Sequence, residues 1–217
     1  YILSSNVPEI VPYILSFFLK IPNPLSVIQI LSIDLGSDML PGLALGSEAP
    51  EKNIMKRAPV GKDEKILDFE VFKRGYFLIG VIEASAAMFA FITFLLSHGW
   101  QYGQVDLGDP VFQSQAMTMT LLGAITSQLA NAWTMRSWDF NIWTLRWNSN
   151  KTLLFSMAAV LAWIWALLNV ESVQKVFNTA HVPLGDLWIL VPFPIIILVF
   201  HESYKYFRLK KMDSVIL

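Results

Sequence analysis

No cysteine occurs among the 217 residues. Disulfide frameworks, thiolate metal centres and cysteine nucleophiles are therefore excluded, and the redox state of the compartment leaves no mark. Charge is scarce too: Asp, Glu, Lys and Arg make up 15% of the chain, and the formal net charge is −1. A soluble domain carries about 25% charged residues, and a nucleic-acid binder needs a basic surplus that this chain lacks. The three histidines form no pair at transition-metal spacing, and there is no HExxH run. The first residue, Tyr1, already lies inside an apolar segment with no charged leader or cleavage site before it, as expected of a piece of a longer protein.

What the chain has in abundance is apolar sequence, 54% of its residues, gathered into long runs. Six such segments can be counted, at about residues 1–19, 25–45, 76–96, 116–135, 152–170 and 187–207. All have the length of a membrane-crossing helix and none that of a strand. The expected fold is all-α, a polytopic transmembrane bundle of six spanning helices. Residues 1–45 form a tight hairpin turned at Lys20-Ile-Pro-Asn-Pro24, residues 46–75 a loop, and residues 76–217 four further spans with a basic tail.

Basic residues alternate between the connections. Lys52, Lys56, Arg57, Lys62, Lys65, Lys73 and Arg74 lie in the loop, Arg136, Arg146 and Lys151 after the fourth span, and Lys205, Arg208, Lys210 and Lys211 at the end. Only Lys20 and Lys175 fall on the other side. By the positive-inside bias the loop and both chain ends are cytoplasmic.

The second span, LSVIQILSIDLGSDMLPGLAL, carries Asp34 and Asp38 near its middle. An Asp at a helix centre costs about 2.5 to 3.5 kcal/mol on insertion scales. The two acids share a helix face, and Gly36 between them with Pro41 just after predicts a partly unwound segment. Unwound backbone at that depth belongs in a protein-lined or wet cavity, where carbonyls and carboxylates can hold a cation; the alternative is a kinked span with protonated acids. In the first span, SSNVPEIVPYIL puts Asn6 and Glu9 on one face beside Pro8 and Pro12, each of which releases a carbonyl.

The third span holds the lone acid Glu83 among Gly80, Ala84, Ala86 and Ala87. Those small residues mark a close packing face, and Glu83 either joins an ion site or hydrogen-bonds a neighbouring helix. The fourth span is rich in neutral polar groups, with Gln128 and Asn131 three apart; amide oxygens suit hard cations and also bridge membrane helices. The fifth has no ionisable group between Thr152 and Val170 and looks like a wall. In the last, Pro192 and Pro194 interrupt the helix, and His201, Glu202 and Lys205 are expected at the interface.

Four carboxylates, Glu9, Asp34, Asp38 and Glu83, thus lie at membrane depth, with no Lys or Arg well inside any span. Their charge must be met by cations, by protons, or by alternation between the two. A cation pump or a carboxylate-based exchanger or channel needs that alternation; a scaffold or anchor does not.

The SNxPE and IDLGxDxxPxxxL patterns, with the IMKRAP loop after them, resemble helices five and six and the following cytoplasmic loop of the type II P-type cation-transporting ATPases. The six spans would then be helices five to ten of a ten-helix family. The resemblance implies that Asn6 and Glu9 are ion ligands of helix five, that Asp34, Ser37 and Asp38 are those of helix six, and that Gln128 is the ligand of helix eight. Ser5 falls at a position that is serine in sodium/potassium pumps and lysine in the proton/potassium pump. Calcium pumps usually have Asn at the place of Asp34 and Glu at that of Gln128, so the chain looks more like the sodium/potassium type. It departs at Asn131, where that subgroup's third sodium site has an Asp. Ser5, Glu83 and Asn131 are thus additional candidates.

No DKTGT, TGE or nucleotide-binding domain is present, so these residues include no catalytic ones and cannot hydrolyse ATP alone. The resemblance implies a full-length pump using Mg²⁺ and ATP on cytoplasmic actuator, phosphorylation and nucleotide-binding domains, with N-terminal helices completing the bundle in the plasma membrane. The resemblance implies a transported cation that is Na⁺ or K⁺, with or without protons in exchange, or alternatively Ca²⁺.

Overall fold

The structure, a computed structural model, describes residues 1–50, 54–56, 67–137 and 140–216, with side chains to Phe207 apart from position 56. Lys52, Arg57, Lys62 and Lys65 of the expected basic loop lie outside the described residues, as do the side chains of Lys56, Arg208, Lys210 and Lys211. Seven helices carry the fold, and no strand occurs among the described residues. They are α1 (Ile2–Leu19), α2 (Val27–Gly46), α3 (Phe69–Ser97), α4 (Pro110–Thr134), α5 (Lys151–Asn169), the short α6 (Glu171–Phe177) and α7 (Pro192–Ile216).

Local chemistry sets their ends. Ser26 and Gln29 cap α2 reciprocally, backbone to side chain in both directions. Asp68, Asp109 and Asn150 each accept a backbone N–H at the start of α3, α4 and α5, and Pro110 follows its cap where a missing donor costs nothing. Lys20, in the left-handed region at φ 52°, ends α1 and opens the hairpin turn.

Five segments are long and apolar enough to cross a membrane: α1, α2, α3, α5 and the stretch Leu187–Phe207. The expected fourth span is different. It lies within α4, whose 25 residues suffice in length, but whose Thr, Ser, Gln and Asn lower its apolarity below that of the others. The reason is its position, since most of α4 from Ala116 to Thr134 is buried by protein and so need not match lipid. Large apolar side chains point outward from the surrounding helices instead, among them Phe17, Leu43, Phe77, Phe155, Leu161 and Val199.

α3 and α4 form the centre. A Cβ on Gly123 would stand 3.0 Å from the backbone of Ala86 and Ala87, the close approach that small residues permit. α1 lies along α3, where Val7 fills the space a side chain on Gly80 would need. α2 packs on α5, with Leu25, Ile33, Ala124, Ile125, Val160 and Leu167 in one buried cluster.

Two expectations are corrected here. α3 begins at Phe69 rather than near Tyr76, so Lys73 and Arg74 belong to a helix whose stretch Lys73–Gly80 is wound as a π-helix. His201 is buried rather than interfacial: Arg74 donates to its Nδ1 at 3.3 Å and stacks over Tyr204, while the buried Lys205 ammonium reaches the Thr134 carbonyl at 2.9 Å and Glu202 at 3.1 Å. The charges are tolerable there because α3, α4 and α7 supply partners.

Candidate cation site

α1 is interrupted where its polar residues sit. Helix Ile2–Ser5 stops at Asn6 and resumes at Val7, and Pro12 inside the second piece brings no amide donor to the carbonyl of Pro8. Glu9, between the two prolines, is buried, and its Oε1 has no hydrogen-bond partner. Asn6 is half-buried at the break.

α2 loosens opposite. Asp34–Asp38 is a π-helical turn, closed by the Met39 N–H on the Asp34 carbonyl. The expectation of an unwound segment is thus refined: the helix widens by one residue per turn and stays hydrogen-bonded on both sides. Gly36 in this turn makes room for α5, whose Trp163 occupies the space where a side chain would be. Ser37 is buried and donates to the Ile33 carbonyl at 2.8 Å. Asp38 is buried and accepts from the Tyr1 hydroxyl at 3.2 Å, whereas Asp34 is exposed.

These elements bring three acids together. One carboxylate oxygen each from Glu9, Asp34 and Asp38 lie within 4.8 Å of one another, the one such group of metal-binding side chains among the described residues. Two full negative charges that close repel by roughly 3.5 kcal/mol at an effective dielectric of about 20. Three of them therefore call for protons or a cation, and oxygen donors of this kind suit hard cations.

Other expected residues gather elsewhere. Glu83 accepts from Asn131 Nδ2 at 2.9 Å, and the same nitrogen donates to Ser4 Oγ at 2.8 Å. Gln128 is buried nearly a turn before Asn131, and Ser5 is buried with its hydroxyl on the Ile2 carbonyl at 3.0 Å. Ser4 and Tyr1 were missed by sequence reasoning. The only signal was their neighbourhood to the Ser5-Asn6 pair, since their partners lie on distant helices.

A family model for the C-terminus of cation transporting ATPases matches residues 22–207. Among curated relatives, the sodium/potassium-transporting ATPase subunit alpha-4 of Rattus norvegicus is 42% identical over 102 residues, 46% of this chain and 10% of that protein. Subunit alpha-3 of Homo sapiens is 40% identical over 106 residues, 48% of this chain and again 10% of the relative. Subunit alpha-1 of Catostomus commersonii is 42% identical over 101 residues, with 46% and 10% covered. The aligned part of this chain thus spans about a tenth of the length of the relatives it matches. With the family model covering most of the chain, the polar site and the membrane-length helices find their context: the chain belongs to the type II P-type cation-transporting ATPases and corresponds to their C-terminal transmembrane region.

Proposed function

We propose that this chain supplies the intramembrane ligands of an ATP-driven pump for a monovalent cation, Na⁺ or K⁺, with protons moving in exchange. The observation that carries the reading is the meeting of Glu9, Asp34 and Asp38 across an interrupted α1 and a π-helical turn of α2. Asn6, Ser37 and Gln128 complete the ligand set with neutral oxygens, and Ser5 lies beside it. Cation binding stabilises the charged acids and protonation replaces it, so alternation of the two carries charge both ways. The names of the relatives, sodium/potassium-transporting ATPase subunits, support the monovalent choice. ATP and Mg²⁺ act on other domains of the full-length pump. α1 and α2 form the ion-site hairpin, the segment between α2 and α3 the cytoplasmic loop and α3 to α7 the supporting helices, in a plasma membrane with both ends of the chain cytoplasmic.

The test is phosphoenzyme formation from ATP by the full-length pump in vesicles, titrated with Na⁺, K⁺, Ca²⁺ and protons, with Asp34→Asn and Asp38→Asn alongside. Phosphorylation gated by Na⁺ or K⁺ and desensitised at least about tenfold by either substitution, equivalent to 1.4 kcal/mol, is expected. Control by Ca²⁺ would favour the second reading, a calcium pump, for which three clustered acids are also suitable ligands. An ion response that survives both substitutions would make the acids structural. The exchanger or channel alternative loses ground to the family match, which is to ATPases.

A further inference from the structure

α5 carries no ionisable group between Thr152 and Val170, yet one of its side chains presses on the turn that holds the acids. The Trp163 indole fills the space beside Gly36, where an added Cβ would fall 2.3 Å from its Nε1 and 2.7 Å from its Cδ1. The same nitrogen donates to Ser32 Oγ at 3.0 Å, and Ser32 is buried one turn before Gly36. The ring also stands edge-to-face with Phe177 of α6, the centroids 5.1 Å apart. An apolar cleft of about 460 Å³ opens beside it, lined by Leu31, Leu35, Leu40, Ala159 and Phe177. One ring therefore touches α2 both before the π-helical turn and in the middle of it, and the cleft leaves that turn room to move once the ring is removed.

We propose that Trp163 is a positioning residue of the cation site, one that holds Asp34–Asp38 in its π-helical winding and so sets cation affinity without touching the cation. The inference rests on the reading of Glu9, Asp34 and Asp38 as ion ligands. A π-helical turn takes one residue more than an α-helical one and is rare. Rewinding this turn as α-helix would rotate the part of α2 after it by about 100° and shift it by about 1.5 Å along the axis, relative to the part before it. Asp38 would move with the later part, away from the Tyr1 hydroxyl at 3.2 Å and from Glu9, while Asp34 stayed with the earlier part. Carboxylate oxygens that now lie within 4.8 Å of one another would no longer meet around one ion. Two features of Trp163 oppose that movement. Its N–H fixes Ser32, on the earlier part, to α5, and its ring bears on Gly36 within the turn, so the two parts cannot rotate past each other without displacing α5. An indole suits the place, with a large apolar body for the helix contact and a single N–H for the buried hydroxyl.

The experiment is phosphoenzyme formation from ATP by the full-length pump in vesicles, titrated in turn with Na⁺, K⁺ and Ca²⁺. Two quantities are read, the half-saturating concentration of the ion that gates phosphorylation and the level reached at saturation. Trp163→Leu removes both ring and N–H and is expected to raise the half-saturating concentration about tenfold, with the saturating level near that of wild type. Trp163→Phe keeps a ring against Gly36 and loses only the bond to Ser32, so a rise of about threefold, the size of one net hydrogen bond, is expected. Trp165→Leu is the control: Trp165 lies on the same helix but is 62% exposed, and both quantities should stay at wild-type values. A purely structural role for Trp163 would lower the saturating level or the thermal midpoint of Trp163→Leu and leave its half-saturating concentration unchanged. That outcome overturns the proposal, as does an equal rise in Trp165→Leu. If Trp163→Leu does not reach the membrane, a wild-type half-saturating concentration in Trp163→Phe overturns it instead. Asp38→Asn separates this inference from the reading beneath it. If that variant loses its ion response while the Trp163 variants keep wild-type affinity, only the role of Trp163 fails; if it responds as wild type does, the reading of the three acids fails and takes the role of Trp163 with it.

Discussion

At Gly36, in the middle of the π-helical turn, a Cβ would lie 2.3 Å from Nε1 of Trp163. That indole donates to Ser32 Oγ at 3.0 Å, so it cannot move aside without losing a hydrogen bond. Gly36→Ala is expected to push α5 from α2 and destabilise the protein by about 1 to 3 kcal/mol, read as a lower thermal midpoint of the detergent-purified full-length pump. Gly42→Ala is the control, because its Cβ would meet the side chains of Ile2, at 3.5 Å, and Tyr1, at 3.9 Å, in ordinary van der Waals contact. Equal midpoints for the two variants would mean that Trp163 repacks without cost. Glu9, Asp34 and Asp38 were legible from sequence because they lie within apolar runs, where the cost of an acid is evident. The close approach of Trp163 to Gly36 was not legible, and neither was the bridge from Asn131 to Ser4. Both depend on which helices become neighbours, and no local pattern encodes that.

The elements around the site depart from regular helix in ways that sequence shows unequally. Proline announces its own break, so the interruption of α1 was readable, whereas the π-helical stretch Lys73–Gly80 has no comparable marker. The existence of α4 was readable too, although it starts at Pro110 rather than near Ala116, and its central place was only hinted at by its polarity. Pro12 offers a test at this scale. Replacing it with alanine supplies an N–H to the Pro8 carbonyl, one turn back and next to Glu9, and raises helix propensity by about 3 kcal/mol at an interior position. Pro12→Ala is therefore expected to hold or raise the thermal midpoint while the half-saturating cation concentration for transport rises about tenfold. A lower midpoint with unchanged affinity would show Pro12 to be a packing residue rather than a shaper of the site.

Across the whole molecule, the ends of three helices are tied at one place. Glu48, just after α2, accepts from Arg136 Nε at 3.1 Å and Nη2 at 3.0 Å, and from Asn150 Nδ2 at 2.8 Å. Arg136 follows α4 and stacks over Trp133, and Asn150 caps α5 while donating to the Ala44 carbonyl of α2 at 2.9 Å. Burial pushes the Glu48 carboxyl upward, but the hydrogen bonds from Arg136 and Asn150 and the Arg136 charge outweigh it and hold the group below its ordinary range. The fold thus favours the charged form. Its stabilisation is fully present above the ordinary glutamate value, about 4.3, and is lost as pH falls through that value toward the lower one of the folded state. Glu48→Gln keeps the shape and removes the charge, leaving the Arg136 guanidinium, which is 2% exposed, without its carboxylate. A loss of about 1 to 3 kcal/mol at neutral pH is expected. Thermal midpoints of the two proteins should draw together as the pH falls below the ordinary glutamate value and meet once it has passed the lower value of the folded state, where wild-type Glu48 also becomes neutral. A gap that stays constant into acid would mean that the tie works through shape alone, and that the three helix ends are held by Asn150 and the packing of Trp133 rather than by charge.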